Sequence, residues 1–286
     1  MSAVVEVVAV RVPERSWRSE VRAVRIVWRR DLIRFATDRM RIATLLIQPL
    51  LFLFVLGAGL QTLSAASTDG VDLRTFIYPG ILCLALVFSA MFSAISLVMD
   101  REFGFLREML VAPVRRSSIV VGKCLGGATV AALQGVILLA LAGLVDVPYD
   151  PVLILGLFGL MLLLAFTVTA FGVMVATRVK QIQTFTTVMQ MLVMPMFFLS
   201  GALYPLSGLP TWLEVLTRIN PLTYAVDPMR RLVFNHLDIS EAARRTLDPG
   251  VTWFGWRVPS LVEVGVVLAL GLVMMAVAIF QFTRTE

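Results

Sequence analysis

The chain has 286 residues, of which 58% are hydrophobic and only 15% charged, against roughly 45–50% and 25% in a soluble domain. That balance excludes an ordinary soluble globular protein. The formal net charge of +6 fits attraction to anionic lipid better than attraction to nucleic acid.

Residues 1–41 form an arm with ten arginines between Arg11 and Arg41. Trp17, Val21, Val24, Trp28, Leu32 and Phe35 recur at spacings of four, three, four, four and three, which predicts one face of a helix. Arg18, Arg22, Arg25 and Arg29 repeat beside that face. This pattern predicts an interfacial amphipathic helix, with its apolar face in the headgroup region and its guanidinium groups on phosphates. Its cytoplasmic face is open to a partner protein. The short Ala3–Val10 stretch carries Glu6 and does not fit a cleavable signal peptide, so the first apolar span is expected to stay as an anchor.

Six runs reach the length needed to cross a ~30 Å hydrocarbon core: Ile42–Leu63, Phe76–Met99, Ile119–Leu144, Val152–Thr177, Thr184–Leu203 and Leu261–Phe282. They predict an all-α polytopic membrane protein, a single six-span domain over 42–286. Lys123 and Glu263 are the charged residues inside these runs, and Glu263 is expected to reach the interface by snorkelling. Arg101, Arg107, Arg115, Arg116, Arg178, Lys180 and Arg284 join the arm on one side of the bilayer. By the bias of basic residues toward the cytoplasm, both termini are expected there. Tyr78, Tyr149, Tyr204, Trp212, Tyr224, Trp253 and Trp256 then fall near the outer interface, where amphipathic rings are favoured.

Residues 100–118, between spans two and three, are charged and turn-broken. Glu102–Leu110 reads Glu-Phe-Gly-Phe-Leu-Arg-Glu-Met-Leu, a mostly apolar face edged with charge, as a docking element for another protein requires. Residues 204–260 hold Pro205, Pro210, Pro221 and Pro228 around Thr211–Ile219 and Tyr224–Asn235. Both pieces are too short to span, and they predict short outer helices at the interface or dipping into it. In span five, Gln183, Thr187, Gln190 and Met194 form a polar and polarisable stripe. Thr44 and Gln48 form a shorter one in span one, beside Pro49. Amides at that depth call for protein or a water-filled cavity, so Thr44, Gln48, Thr187, Gln190 and Met194 are the candidate cargo path.

Catalytic chemistry finds little support. His236 is the one histidine, and no metal-ligand spacing occurs. Gly122-Lys123 lacks the earlier glycine of a phosphate-binding loop. Paired carboxylates within the spans, usual in ion-driven carriers, are not evident. Cys83 and Cys124 give no exported disulfide framework.

Arg101-Glu102-Phe103-Gly104 with Leu106, Glu108, Leu110 and Pro113 resembles the Glu-x-Gly loop of type-2 ABC exporter permeases. Phe198-Leu199-Ser200-Gly201, Tyr204-Pro205, Leu209-Pro210 and Trp212-Leu213 resemble their fifth-span exit. Asn220-Pro221-Leu222-Thr223-Tyr224, Asp227 and Arg230 are similar to the outer motif of the daunorubicin-resistance branch. Phe103 and Phe105 depart from the polar or small residues common beside that glycine. The resemblance implies a multi-pass protein of the bacterial plasma membrane, a homodimer bound to two copies of a separate ATPase subunit. ATP and magnesium belong to that partner, and this chain binds no cofactor. Arg101, Glu102, Gly104, Leu106, Glu108 and Pro113 would couple to it, and Asn220, Pro221, Tyr224 and Arg230 would form the outer motif. The implied cargo is a hydrophobic or amphipathic compound; a polysaccharide or glycolipid is the alternative. An ion-coupled carrier or channel is the rival from another class.

Overall fold

The computed structural model describes residues 16–56, 59, 73–105, 115–237, 240, 247, 250–253 and 256–285. Helix α1 (Trp17–Thr37) runs into α2 (Arg39–Leu51) across Asp38. The Asp38 carboxylate accepts a hydrogen bond from the Arg41 N–H at 3.0 Å and so caps the new helix. Helix α2 loosens into a π-helical turn at Phe52–Leu56, three residues beyond Pro49. A helix-interior proline removes one backbone bond and displaces the carbonyl four residues earlier, here that of Leu45. The buried Gln134 amide donates to it at 2.8 Å.

Four helices among the described residues are long and apolar enough to cross a membrane: α3 (Leu73–Glu102), α4 (Arg116–Leu139), α5 (Pro151–Ala176) and α9 (Ser260–Thr285). They contain the expected second and sixth spans, the fourth but for Thr177, and most of the third. Beyond Leu139 the third gives way to a 3-10 turn at Ala142–Val145. Helix α5 starts on Asp150, whose carboxylate accepts from the Val152 and Leu153 N–H groups, with Pro151 at a position where no N–H is needed. Helix α6 (Ile182–Phe198) is shorter than the run Thr184–Leu203 suggested. Pro195 lies in its last turn, and Gly201 turns the chain away at φ 72°. Of the first expected span, 57–58 and 60–63 lie outside the described residues.

Helices α3, α4, α5 and α9 pack together, and α3 is buried along most of its length. Outside the bundle, α7 (Thr211–Ile219) matches the expected outer piece, and α8 (Thr223–Phe234) starts one residue before its own. A two-residue hairpin follows, β1 (Thr252–Trp253) against β2 (Trp256–Arg257).

Two expectations, for Glu263 and for the apolar face of α1, are corrected. Glu263 does not snorkel: it is fully buried, with its Oε1 3.7 Å from the Arg231 guanidinium. Tyr78 is turned into the bundle and not outward: it is buried and donates to the Leu138 carbonyl at 3.0 Å. The apolar face of α1 is not all turned to headgroups. Phe35 is buried, and the Trp28 indole N–H donates to Thr129 Oγ1 at 3.1 Å, because α4 occupies that side. Trp17 and Val21 remain exposed, as do Arg18, Arg22, Arg25 and Arg29.

Candidate coupling site and transport path

The cytoplasmic end expected for α3 carries three consecutive charges, Asp100, Arg101 and Glu102, and each engages a different part of the subunit. The Arg101 guanidinium donates to the carbonyls of Ala176 (2.9 Å), Thr177 (3.2 Å) and Val179 (2.8 Å). The last carbonyls of a helix lack intrahelical partners, and Arg101 supplies them at the end of α5, where a cation also suits the helix dipole. Glu102 Oε2 accepts from the Ile182 N–H at 2.9 Å, at the start of α6. One oxygen of the expected coupling residue Glu102 is thus engaged within the subunit, while the residue itself is exposed.

Phe103 leaves the helix and Gly104 turns it at φ 83°, a conformation that L-residues with a Cβ adopt at a cost. No atom stands within 4 Å of where a Gly104 Cβ would be, so backbone torsion and not crowding calls for glycine. Phe103 and Phe105 are exposed, at 63% and 50%. Leu106, Glu108 and Pro113 lie outside the described residues. At the start of α4, Glu20 of α1 accepts from the Arg115 N–H and the Ser118 hydroxyl. A cleft of about 370 Å³ opens there, lined by Trp17, Val21, Arg115 and Ser117 among others.

Asp100 belongs to a buried charged cluster that the sequence pattern did not reveal. Lys123 of α4, 2% exposed, places its ammonium 3.2 Å from Asp31 Oδ1, 3.0 Å from Asp100 Oδ2 and 2.7 Å from Ser96 Oγ. Arg30 and Arg34 reach Asp100 at 2.5 and 3.3 Å. Two buried carboxylates thus meet just outside the expected spans, Asp31 on α1 and Asp100 at the end of α3, and both pair with cations of the same subunit. The available signals were Lys123, one of two lysines in the chain, and the Gly122-x-x-x-Gly126 spacing around it, a pattern that lets helices approach closely.

At the other end the outer motif acts as a clasp. Asn220 donates through Nδ2 to the Met196 carbonyl at 2.5 Å, one of the end carbonyls of α6, and accepts from the Leu222 N–H. Arg230 is buried; it donates to the carbonyls of Gly201 and Ala202 and lies 4.3 Å from the centre of the Phe76 ring. Tyr224 donates to the Arg218 carbonyl at 2.6 Å and accepts from the Trp253 indole. Pro221 is half-buried and lines an apolar crevice with Leu222 and Met196. His236 Nδ1 sits 2.9 Å from the Leu232 carbonyl. The Asn220 and Arg230 contacts hold α8 and the outer turn onto the bundle.

Residues 22–234 match the family model described as ABC-2 type transporter. The chain belongs to that family. It is similar to the putative transport permease ycf38 of Cyanophora paradoxa, 34% identical over 65% of this chain and 66% of that one. Nodulation protein J of Rhizobium leguminosarum bv. trifolii is 30% identical, over 73% of this chain and 80% of that protein. The probable multidrug ABC transporter permease YbhR of Escherichia coli (strain K12) is 28% identical, with 57% of this chain covering 44% of that one. As an ABC-2 permease, the chain is a multi-pass membrane transport subunit that works with an ABC ATPase and is not itself the ATPase.

In this ABC-2 subunit the polar stripe of α6 points outward. Phe185, Met189, Val193 and Phe197 form the buried face, while Gln183, Thr187, Gln190 and Met194 are exposed. On α2, Thr44 is exposed and returns its hydroxyl to the Met40 carbonyl at 2.9 Å, and Gln48 is half-exposed. Both stripes therefore lie on the subunit's outer surface and not around a cavity within it.

Proposed function

We propose that this permease exports a hydrophobic or amphipathic compound, a drug-like molecule or a lipid, across the bacterial plasma membrane. In this reading it has six spans and cytoplasmic termini, and it works as a homodimer with two copies of its ATPase, which binds ATP and magnesium. Closure of the ATPases pushes the exposed side of α1 and the segment after Gly104.

The observation that carries the reading is the Arg101–Glu102 pair. It ties the start of the coupling segment to the α5–α6 connection, so displacement there acts directly on the helix bearing the Gln190 stripe. An amide stripe facing lipid is disfavoured; a second copy facing it across a transport path removes that cost. Met194 and the neighbouring exposed Met191 suit varied apolar ligands. The multidrug name carried by YbhR points to the same class of cargo.

The test is to co-express the full chain with a cognate ABC ATPase, place a photo-reactive amino acid at Phe105, and purify through the permease. The expected result is a complex of two permeases and two ATPases, cross-linked from position 105 to the ATPase. A permease that purifies alone, with no cross-link at that position, overturns the reading. A panel of drug-like compounds, lipids and glycolipids then fixes the cargo class.

A further inference from the structure

We infer that Lys123 is a positioning residue for energy coupling: by gripping Asp31 and Asp100 together, it locks α4 to the contact that Arg30 and Arg34 of α1 make with Asp100, so that α1, α4 and the Asp100–Glu102 turn move as one lever. The inference rests on the reading above and adds the part that carries the stroke.

An ammonium has three N–H donors and no acceptor, and Lys123 meets three acceptors, on α1 (Asp31) and on α3 (Asp100 and Ser96). Asp100 in turn holds Arg30 and Arg34, one helical turn apart on α1. Its neighbours Arg101 and Glu102 hold the end of α5 and the start of α6. Three adjacent residues at the end of α3 therefore connect α1, α4, α5 and α6, two positions before the glycine turn.

Close approach makes this possible. A Cβ on Gly122 would stand 2.8 Å from the Val27 Cβ, and one on Gly126 would stand 2.9 Å from Asp31 Oδ2. Apolar packing between α1 and the spans includes buried Val27, held over Gly122, and a small cluster of Phe35, Leu45 and Val130 with its neighbours. Buried opposite charges fix a register, since a slip of one turn strands a charge away from its partner. A mere staple would need one ion pair; here the carboxylates come from the helix that takes the push and from the helix that passes it on.

The experiment uses the full permease–ATPase complex in proteoliposomes and reads cargo exported per ATP hydrolysed. Lys123→Met is expected to assemble and hydrolyse ATP while this ratio falls about 5- to 150-fold, the span of ordinary coupling free energies. A covalent tie should restore it. Trp28→Cys with Thr129→Cys, whose native side chains meet at 3.1 Å, is bridged by a short bismaleimide, Cys83 and Cys124 being buried. In a Lys123-intact complex the same bridge should leave export unchanged, because α1 and α4 already travel together. Three results overturn the inference: Lys123→Met exporting at the wild-type ratio, the bridge stopping export in the Lys123-intact complex, or the bridge failing to restore Lys123→Met. If Lys123→Met does not assemble, the bridge in the Lys123-intact complex still decides the matter. Wild-type complex without ATP-driven export would instead refute the proposed function.

Discussion

Removing the Arg101 side chain tests whether the coupling segment is anchored to the α5–α6 connection. Arg101→Met keeps an unbranched apolar stem and deletes three hydrogen bonds to the carbonyls of Ala176, Thr177 and Val179. Bonds from a charged donor contribute about 1.5–3 kcal/mol each in favourable cases, and a cation at a helix C-terminus about 0.3–1 kcal/mol. The three share one half-buried guanidinium and do not add, so the local loss is about 2–4 kcal/mol. Every 1.4 kcal/mol is tenfold, so opening of the 177–181 connection should become about 30- to 700-fold more frequent. Arg178 and Lys180 in that connection are exposed, and limited trypsin cleavage there, followed by mass spectrometry, reads the opening directly. Arg101→Lys, a single point charge, should fall between the two. An unchanged cleavage rate at Arg178 and Lys180 in Arg101→Met would refute the anchoring argument, whatever happened to export.

Gly104→Val forces a β-branched residue to positive φ, at about 1–3 kcal/mol, and should leave dimer and ATPase binding intact while lowering cargo exported per ATP. Gln134→Leu strands the Leu45 carbonyl beside Pro49, at about 1–3 kcal/mol, and should lower the thermal midpoint in detergent where Gln134→Glu, which also lacks the donor when ionised, does no better. Gln190→Leu and Met194→Ala should shift cargo preference across a panel of amphipathic compounds with ATPase binding unchanged; an identical profile would return the stripe to lipid or subunit packing. Single cysteines at Tyr149 and His236 should react with an impermeant reagent in intact cells, and one at Arg178 should not; the reverse pattern would invert the topology.

The apolar runs made most of the bundle legible, and proline punctuation gave Thr211–Ile219 its observed limits. The turn at Gly104 was legible too, in the charged, turn-broken character of residues 100–118. What covers an amphipathic face was not legible. Periodicity fixes the direction in which Trp28 and Phe35 point, yet it cannot tell a lipid headgroup from α4. The charged cluster escaped for a related reason. Asp31 sits among arginines like a solvated residue, and Asp100 looks like the polar edge of a loop. Only the fold brings Lys123 between them. Glu263 was misjudged because its distance from a helix end suggested water within reach, whereas Arg231 meets it from a separate outer helix.

The most direct measurement of the central claim is transport by purified permease reconstituted into liposomes with its ATPase. Accumulation of a fluorescent amphipathic cargo should require MgATP and both proteins, and should be insensitive to collapse of proton and sodium gradients. Transport by the permease alone, or transport abolished by dissipating an ion gradient while ATP is still hydrolysed, would contradict the account.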